Sequence, residues 1–409
     1  MRATVLLIFF GLAAGVALAE AGCRLLEHVH CTLRTAGFGS FSRFYGWGHR
    51  PNADGWAQGC LRKVVEWGSY TRINSHGLRD EDIPYQRTGR FRILVLGDSF
   101  TEGLQVDQMQ TYPKVLQRIL GATSPGGVEV INAGVAAWGT DNALLFFREE
   151  GWKYHPDLVL LTFDTTNDIY ENTRSLSARD TFYSDKPYFT LDDGRLTLQN
   201  YPLPPLSTPR RILMAIQGPL LLHSALARLL STLPAVWGRL KLPPPHPLVP
   251  GGTVEMMEVY LATYPPVWQD AWRITRGLIL MLQRDVEAHG ARFAVAVINA
   301  REEVSPQRWK TAVMVRPAVR NATLDPDKPN RLITQFLARK GIPTIATLDA
   351  FRASFSETGR PGFHPWDIHW TAAGHELAGR VVAEGLQAQG LVPAAVPAAA
   401  PPPGPDTAR

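Results

Sequence analysis

The sequence predicts an α/β fold built on a doubly wound, parallel, five-stranded sheet, with one inserted helical and irregular segment. Three observations lead there. Short apolar runs rich in β-branched residues recur from Phe91 onward, each with the length of a buried strand. Stretches with apolar residues at i, i+3 and i+4 stand between them, as the helical crossovers of a parallel sheet do. The rhythm pauses once, over residues 172–265, where prolines crowd the chain.

Composition is compatible with such a core. The chain has 409 residues, 45% hydrophobic and 19% charged, which is globular rather than disordered. Its net charge of +5 comes from scattered Arg, with no basic run interleaved with aromatics. The sequence therefore offers no nucleic-acid-binding face.

The first element is apolar. After Arg2, the stretch Ala3–Ala19 carries no charge until Glu20. Its length lies between a signal-peptide core and a spanning helix, which needs about 17–25 residues. Three readings stay open: an uncleaved anchor over residues 1–26, a signal cleaved after Ala19, and a lipidated Cys23. The helical pattern runs on through Ala21, Gly22, Leu25 and Leu26, which speaks for the anchor, and Glu20 stands where a lipobox wants an apolar residue. Each reading carries the body of the chain out of the cytoplasm, to a membrane-anchored or periplasmic place.

Residues 27–90 are rich in Gly, Trp and Arg with little periodicity, and read as an extended lead-in. Cys23, Cys31 and Cys60 all precede the regular part, without CxxC spacing. A Cys31–Cys60 disulfide and a pair of free thiols are both open.

The strands and helices then follow in order. Phe91–Leu96 is the first strand and ends at Gly97. Tyr112, Val115, Leu116, Ile119 and Leu120 mark a helix. Val128–Ile131 is the second strand, Asn142–Tyr154 a helix, and Asp157–Phe163 the third strand. Inside the insertion, an apolar helical piece over Gly218–Leu240 reads as part of a lid or subdomain, or as a second membrane-contacting element. His223, Ser224 and Arg228 interrupt it and favour packing on protein. Trp268–His289 is a long amphipathic helix, Ala291–Ile298 the fourth strand, Arg331–Lys340 helical and Ile342–Ala346 the fifth strand. The last helix spans Ala372–Gln389, and the Ala/Pro-rich tail 391–409 reads as disordered.

In such a sheet a ligand site lies beyond the carboxyl ends of the strands. The first strand ends in Gly97-Asp98-Ser99-Phe100 before a helix, where a hydroxyl meets the positive end of the dipole. Asp98 and Ser99 are also good helix caps, so capping alone could account for them. The second strand runs into Asn132–Thr140, whose small residues let backbone N–H groups approach a reacting carbonyl. The third ends at Thr165-Thr166-Asn167-Asp168. The Asn167 amide is a donor for an oxyanion, or simply a turn residue. Near the C-terminus stands His364-Pro-Trp-Asp367-Ile-His369-Trp-Thr-Ala-Ala-Gly-His375, in which Asp367 is the one acid between Gly359 and His375. A His base needs such a carboxylate to fix its tautomer. The three histidines match no zinc signature, and His375 reads as structural.

Together these residues resemble the SGNH/GDSL hydrolase family, and in particular its membrane-anchored bacterial members. The first block, GDSF, falls on Gly97–Phe100, and the resemblance covers about 91–170 and 360–385. It implies a three-layer, flavodoxin-like domain over residues 91–390 and acyl-enzyme chemistry without a cofactor or metal. It places the nucleophile on Ser99, its partners on Asp367 and His369, and the oxyanion donors on Ser99, Ala137 and Asn167. Three departures stand out: Ala137 where the family has Gly, Thr165 where the third block has Gly, and Asp-x-His in place of Asp-x-x-His. A similar Asp-x-His-Trp occurs in relatives that acetylate exopolysaccharides. The expected function is a serine ester hydrolase of the esterase or O-deacetylase type, acting on a small-molecule or saccharide ester. The rivals are an O-acyltransferase of cell-surface polysaccharide and a non-catalytic binding or assembly protein that keeps the fold.

Overall fold

The structure, a computed structural model, describes residues 2–29, 37–61, 64–124, 126–177, 186–231 and 254–393. Its strands are β1 (Gly39–Ser42), β2 (Gly46–His49), β3 (Asp54–Leu61), β4 (Val64–Arg72), β5 (Phe91–Gly97), β6 (Val128–Gly134), β7 (Leu158–Asp164), β8 (Tyr188–Asp192), β9 (Arg195–Gln199), β10 (Arg292–Ile298) and β11 (Thr344–Ala346). Five of them form the central sheet in the order β11-β10-β7-β5-β6, and every pairing is parallel. The chain lays β6 on one side of β5 and then crosses back to place β7 on the other. That reversal makes the carboxyl end of β5 the switch point, where a doubly wound sheet opens a crevice.

Both faces of the sheet are covered, which is why β5, β6, β7 and β10 read as nearly unbroken apolar runs. Leu94 and Leu96 point into one core with Leu144, Phe147, Trp268, Leu278, Ile333 and Leu337. Ile93 and Val95 point into the other with Tyr112, Leu116, Leu120, Phe351, Ala378 and Val382. The first core is lidded by helices Thr140–Glu149, Pro266–Ala288 and Lys328–Arg339, the second by Tyr112–Thr123, Leu348–Thr358 and Ala372–Ala388.

The helix expected over Asn142–Tyr154 is shorter: it spans Thr140–Glu149 and gives way to a 3-10 turn over Gly151–Tyr154. Residues 27–90 are more than an extended lead-in, for they carry the antiparallel hairpins β1–β2 and β3–β4. In β4 the buried positions are Trp67, Ser69 and Thr71, so the alternation is real but two of its three inward residues are polar. Apolar periodicity cannot reveal such a strand. The segment also fastens to the domain through Arg79, fully buried, whose guanidinium donates to the carbonyls of Glu102, Gly103 and Val106 at 2.6–2.8 Å.

Within the insertion, β8–β9 is a hairpin, and helices Thr208–His223 and Ala225–Ser231 take the place of the single piece expected over Gly218–Leu240. Residues 232–240 of that piece and the tail from 394 lie outside the described residues. Cys60 is disulfide-bonded and Cys23 is free and buried, while Cys31 lies outside the described residues. Helix Arg2–Val29 includes a stretch long and apolar enough to cross a membrane.

Beneath β6, Asp80 and Lys114 form a fully buried ion pair. Asp80 also accepts the Asn132 N–H at 2.7 Å and Lys114 donates to the Val130 carbonyl at 3.0 Å, so the pair ties the 27–90 segment to the sheet. Removing one partner strands the other charge away from water. Lys114→Met should therefore cost about 3–5 kcal/mol in chemical denaturation followed by circular dichroism, with Asp80→Leu in addition recovering part of the loss.

Candidate active site

Three strand ends meet at one edge. Gly97 is in register with Gly134, and Leu96 with Leu161, so the residues after β5, β6 and β7 emerge side by side. A Cβ on Gly134 would lie 2.3 Å from the Glu102 nitrogen; only glycine lets β6 end against the turn that bears Ser99. In surroundings that are otherwise buried, Ser99, Ala136, Ala137, Thr166 and Asn167 are the partly exposed residues of this edge.

Ser99 opens the short helix Ser99–Glu102, and Asp98 is its cap, accepting the Phe100 N–H at 2.9 Å. Capping thus falls to Asp98 and the Ser99 hydroxyl is left for other work. Its Oγ lies 2.7 Å from His369 Nε2. On the far side of the ring, Nδ1 lies 2.5 Å from Asp367 Oδ1, which also accepts the His369 backbone N–H at 2.9 Å. The loop before the last helix therefore bends so that one Asp367 oxygen meets both the ring and the backbone N–H of a residue only two positions along. His364 braces the bend by donating its N–H to the His369 carbonyl at 3.0 Å. His375 stands apart: it accepts the Tyr112 N–H at 3.1 Å, packs edge-on against Trp370, and burial pushes it down to about 3, which keeps it neutral.

Two partners of Asp367 come from β4. Trp67 Nε1 donates to Asp367 Oδ2 at 2.8 Å. The Glu66 carboxylate accepts the N–H groups of Trp366 and Asp367 at 2.7 and 2.9 Å. Arg301 secures the same stretch through the Trp366 and Asp367 carbonyls at 2.9 and 3.0 Å. Sequence reasoning missed all three, and no local signal could have found them, since Glu66 and Trp67 lie about 300 residues from what they hold.

Electrostatics follow from these contacts. Burial alone would raise the Asp367 carboxylate, but the His369 ring and the donors around it outweigh burial and hold it well below the usual range. Burial likewise disfavours the His369 imidazolium, yet Asp367 first, then Asp98 and Glu102, outweigh it and raise the ring above its ordinary value. A base placed this way can take the Ser99 proton and keep it.

The side of the site facing the expected oxyanion is built from backbone. Ala137 adopts φ 62°, a left-handed conformation that glycine takes without strain. Next to it, the Ala136 N–H donates to Glu102 Oε2 at 3.0 Å, and Glu102 Oε1 lies 2.6 Å from His49 Nε2 on β2. The N–H groups of Ser99 and Ala137 donate to no group among the described residues. Asn167 starts the helix after β7 and gives one amide hydrogen to Asp98 Oδ2 at 2.9 Å, which leaves the other available. The arrangement can activate a hydroxyl and offer donors to a negative oxygen.

Two family models match the chain. The model of the GDSL-like lipase/acylhydrolase family matches residues 95–324, more than half of the chain. That of the SGNH hydrolase-like domain of the acetyltransferase AlgX matches residues 267–400, which include Asp367 and His369. No curated protein matches. Among solved structures, the chain is similar to Axe2, an acetylxylan esterase from Geobacillus stearothermophilus, at 15% identity over 74% of this chain and 96% of that one, with a TM-score of 0.36. It is also similar to a lipase/acylhydrolase from Enterococcus faecalis at 14% identity, 75% and 99% coverage and a TM-score of 0.37. A GDSL-like lipase from Bacteroides thetaiotaomicron matches at 11%, 75% and 93% coverage and 0.37.

A pH series tests the electrostatics directly. The rate at which a fluorophosphonate labels Ser99 should rise with pH as His369 loses its proton, with the midpoint above the ordinary histidine value of about 6.5. Asp367→Asn removes the charge that favours the imidazolium, so the midpoint should move to lower pH while the plateau rate falls. Mass-spectrometric mapping of the adduct follows both. A midpoint that stays in place would show that Asp367 does not act on the base.

Proposed function

The chain belongs to the GDSL-like lipase/acylhydrolase family, and from that premise we propose that it is a serine ester hydrolase of the esterase or O-deacetylase type. The observation that carries the reading is the unbroken line from Ser99 Oγ to His369 Nε2 at 2.7 Å and from His369 Nδ1 to Asp367 Oδ1 at 2.5 Å. His369 takes the Ser99 proton as Oγ attacks the ester carbonyl, and the imidazolium is stabilised by Asp367. The N–H groups of Ser99 and Ala137 and the free amide hydrogen of Asn167 receive the oxyanion. His369 then returns the proton to the leaving alcohol. Water, deprotonated by the same ring, attacks the acyl-enzyme and releases the acid.

A second reading replaces that water by a sugar hydroxyl, which makes the chain an O-acyltransferase. The match of residues 267–400 to the acetyltransferase domain favours it, because that stretch supplies the Asp367–His369 half of the site. The two readings share every step up to the acyl-enzyme. In both, helix Arg2–Val29 tethers the protein to a membrane and the body works outside the cytoplasm on a small-molecule or saccharide ester.

The purified chain should release p-nitrophenol from p-nitrophenyl acetate, and Ser99→Ala should lower turnover by roughly 10³–10⁶-fold without changing the melting temperature. Activity that survives in the folded variant would remove the reading. An oligosaccharide acceptor added to the assay separates the two outcomes: acetylated sugar in place of acetate marks the transferase.

A further inference from the structure

The two helices of the insertion, Thr208–His223 and Ala225–Ser231, meet at 116°. Their junction rests on the N-terminal helix. The Glu20 carboxylate accepts the Ser224 hydroxyl at 2.8 Å and the backbone N–H groups of Ala225 and Leu226 at 3.0 Å each, so it caps the second helix from outside. Further along the same helix, Arg24 donates to the His223 carbonyl at 2.9 Å, and Glu27 takes the Arg228 guanidinium through two bonds of 2.7 and 2.8 Å. These contacts fix the depth of the junction and of the second helix. Glu20 closes the apolar run Ala3–Ala19, which as a helix is about 25 Å long against a hydrocarbon thickness of about 30 Å. In an anchored chain Glu20 therefore lies at the polar boundary of the bilayer, and the helix junction lies there with it.

At that depth the pair turns an apolar face outward. Ile212, Ile216 and Leu220 recur every four residues and are 56%, 54% and 48% exposed, and beyond the bend Leu229 and Leu230 are exposed as well. The opposite face is packed on the body: Arg50 donates to the Met214 carbonyl at 2.7 Å, and a Cβ on Gly218 would strike the Arg50 guanidinium. Arg210 and Arg211, both exposed, sit in the first turn beside the apolar stripe. Apolar side chains directed away from the protein, flanked by basic ones and held at headgroup level, are what an interfacial helix requires.

We propose that this helix pair lies in the interface of the bilayer that the N-terminal helix spans, so that the body stands on two membrane contacts and keeps one orientation to the surface. The proposal rests on the anchoring reading given above. The occupant of the face is the lipid itself, drawn by the apolar stripe and by the attraction of Arg210 and Arg211 to anionic headgroups.

Photo-crosslinking in the full chain tests it. p-Benzoylphenylalanine is placed at Leu12, Ile216 or Met314, the last an exposed position on helix Pro306–Met314 of the body. Each protein is reconstituted into vesicles of phosphatidylethanolamine and phosphatidylglycerol, irradiated and mapped by mass spectrometry. Lipid adducts are expected at Leu12 and Ile216 and none at Met314. An adduct at Leu12 without one at Ile216, a crosslink from Ile216 to a second copy, or equal lipid labelling at Met314 would overturn the proposal and leave the anchor standing. Failure at Leu12 itself would sink the anchoring reading and the proposal with it.

Discussion

The site depends on keeping one half-buried carboxylate charged. Asp367 is too close to His369 in sequence to face it across an open loop, so the bend spends one oxygen on two bonds, to the ring and to the His369 backbone. The other oxygen would then be a largely shielded acceptor in need of a donor. Trp67 supplies that donor, and Glu66 and Arg301 hold the backbone on either side. The short Asp-x-His spacing and the β3–β4 hairpin are thus two parts of one solution.

The other departures from the family pattern find their partners in the same way. Thr165, standing where the third block has glycine, gives its hydroxyl to Glu303 at 2.8 Å. Asp164 accepts the Thr166 and Asn167 N–H groups at 2.7 and 3.3 Å, and Asp168 accepts the Asp164 N–H at 2.7 Å, so the turn that presents Asn167 is held by its own acids. Burial and the charge of Asp164 raise two neighbouring carboxyls, Asp98 to about 7 and Glu303 to about 8. Ala137 takes the left-handed conformation at a cost of about 1–2 kcal/mol relative to glycine, and the bond from Ala136 to Glu102 helps keep it there.

What the sequence made legible was local. Apolar runs and helical spacing sufficed for the five parallel strands, because four of them, β5, β6, β7 and β10, are buried on both faces and announce themselves by composition. Ser99 and the Asp367–His369 pair stood out because each belongs to a short-range pattern, a strand end and a two-residue spacing. The support of that pair did not. Ser69 and Thr71 fill the inward positions of β4 with hydroxyls, the Trp67–Asp367 bond joins distant parts of the chain, and His49 meets Glu102 from a hairpin of only eight strand residues. Such contacts arise from tertiary geometry, and periodicity carries no trace of them.

This bears on where the functional unit begins. A boundary at Phe91 keeps every strand of the central sheet and all of the residues 95–324 matched by the family model. It would nevertheless remove Trp67 and Glu66 from Asp367, His49 from Glu102, Arg79 from the carbonyls after Ser99, and Asp80 from Lys114. The loss would leave the Asp367 Oδ2 oxygen and several carbonyls without partners and the buried Lys114 ammonium without its counter-charge. A segment whose removal strands that many polar groups is part of the folded domain in the energetic sense, whatever its lack of apolar pattern. The same segment carries Arg50, which grips the insertion helix at Met214, so the path from the N-terminal helix to His369 runs through short, mutually satisfied contacts rather than through a linker. The site and the N-terminal helix are therefore held in one frame, and the hairpins between them are its joints.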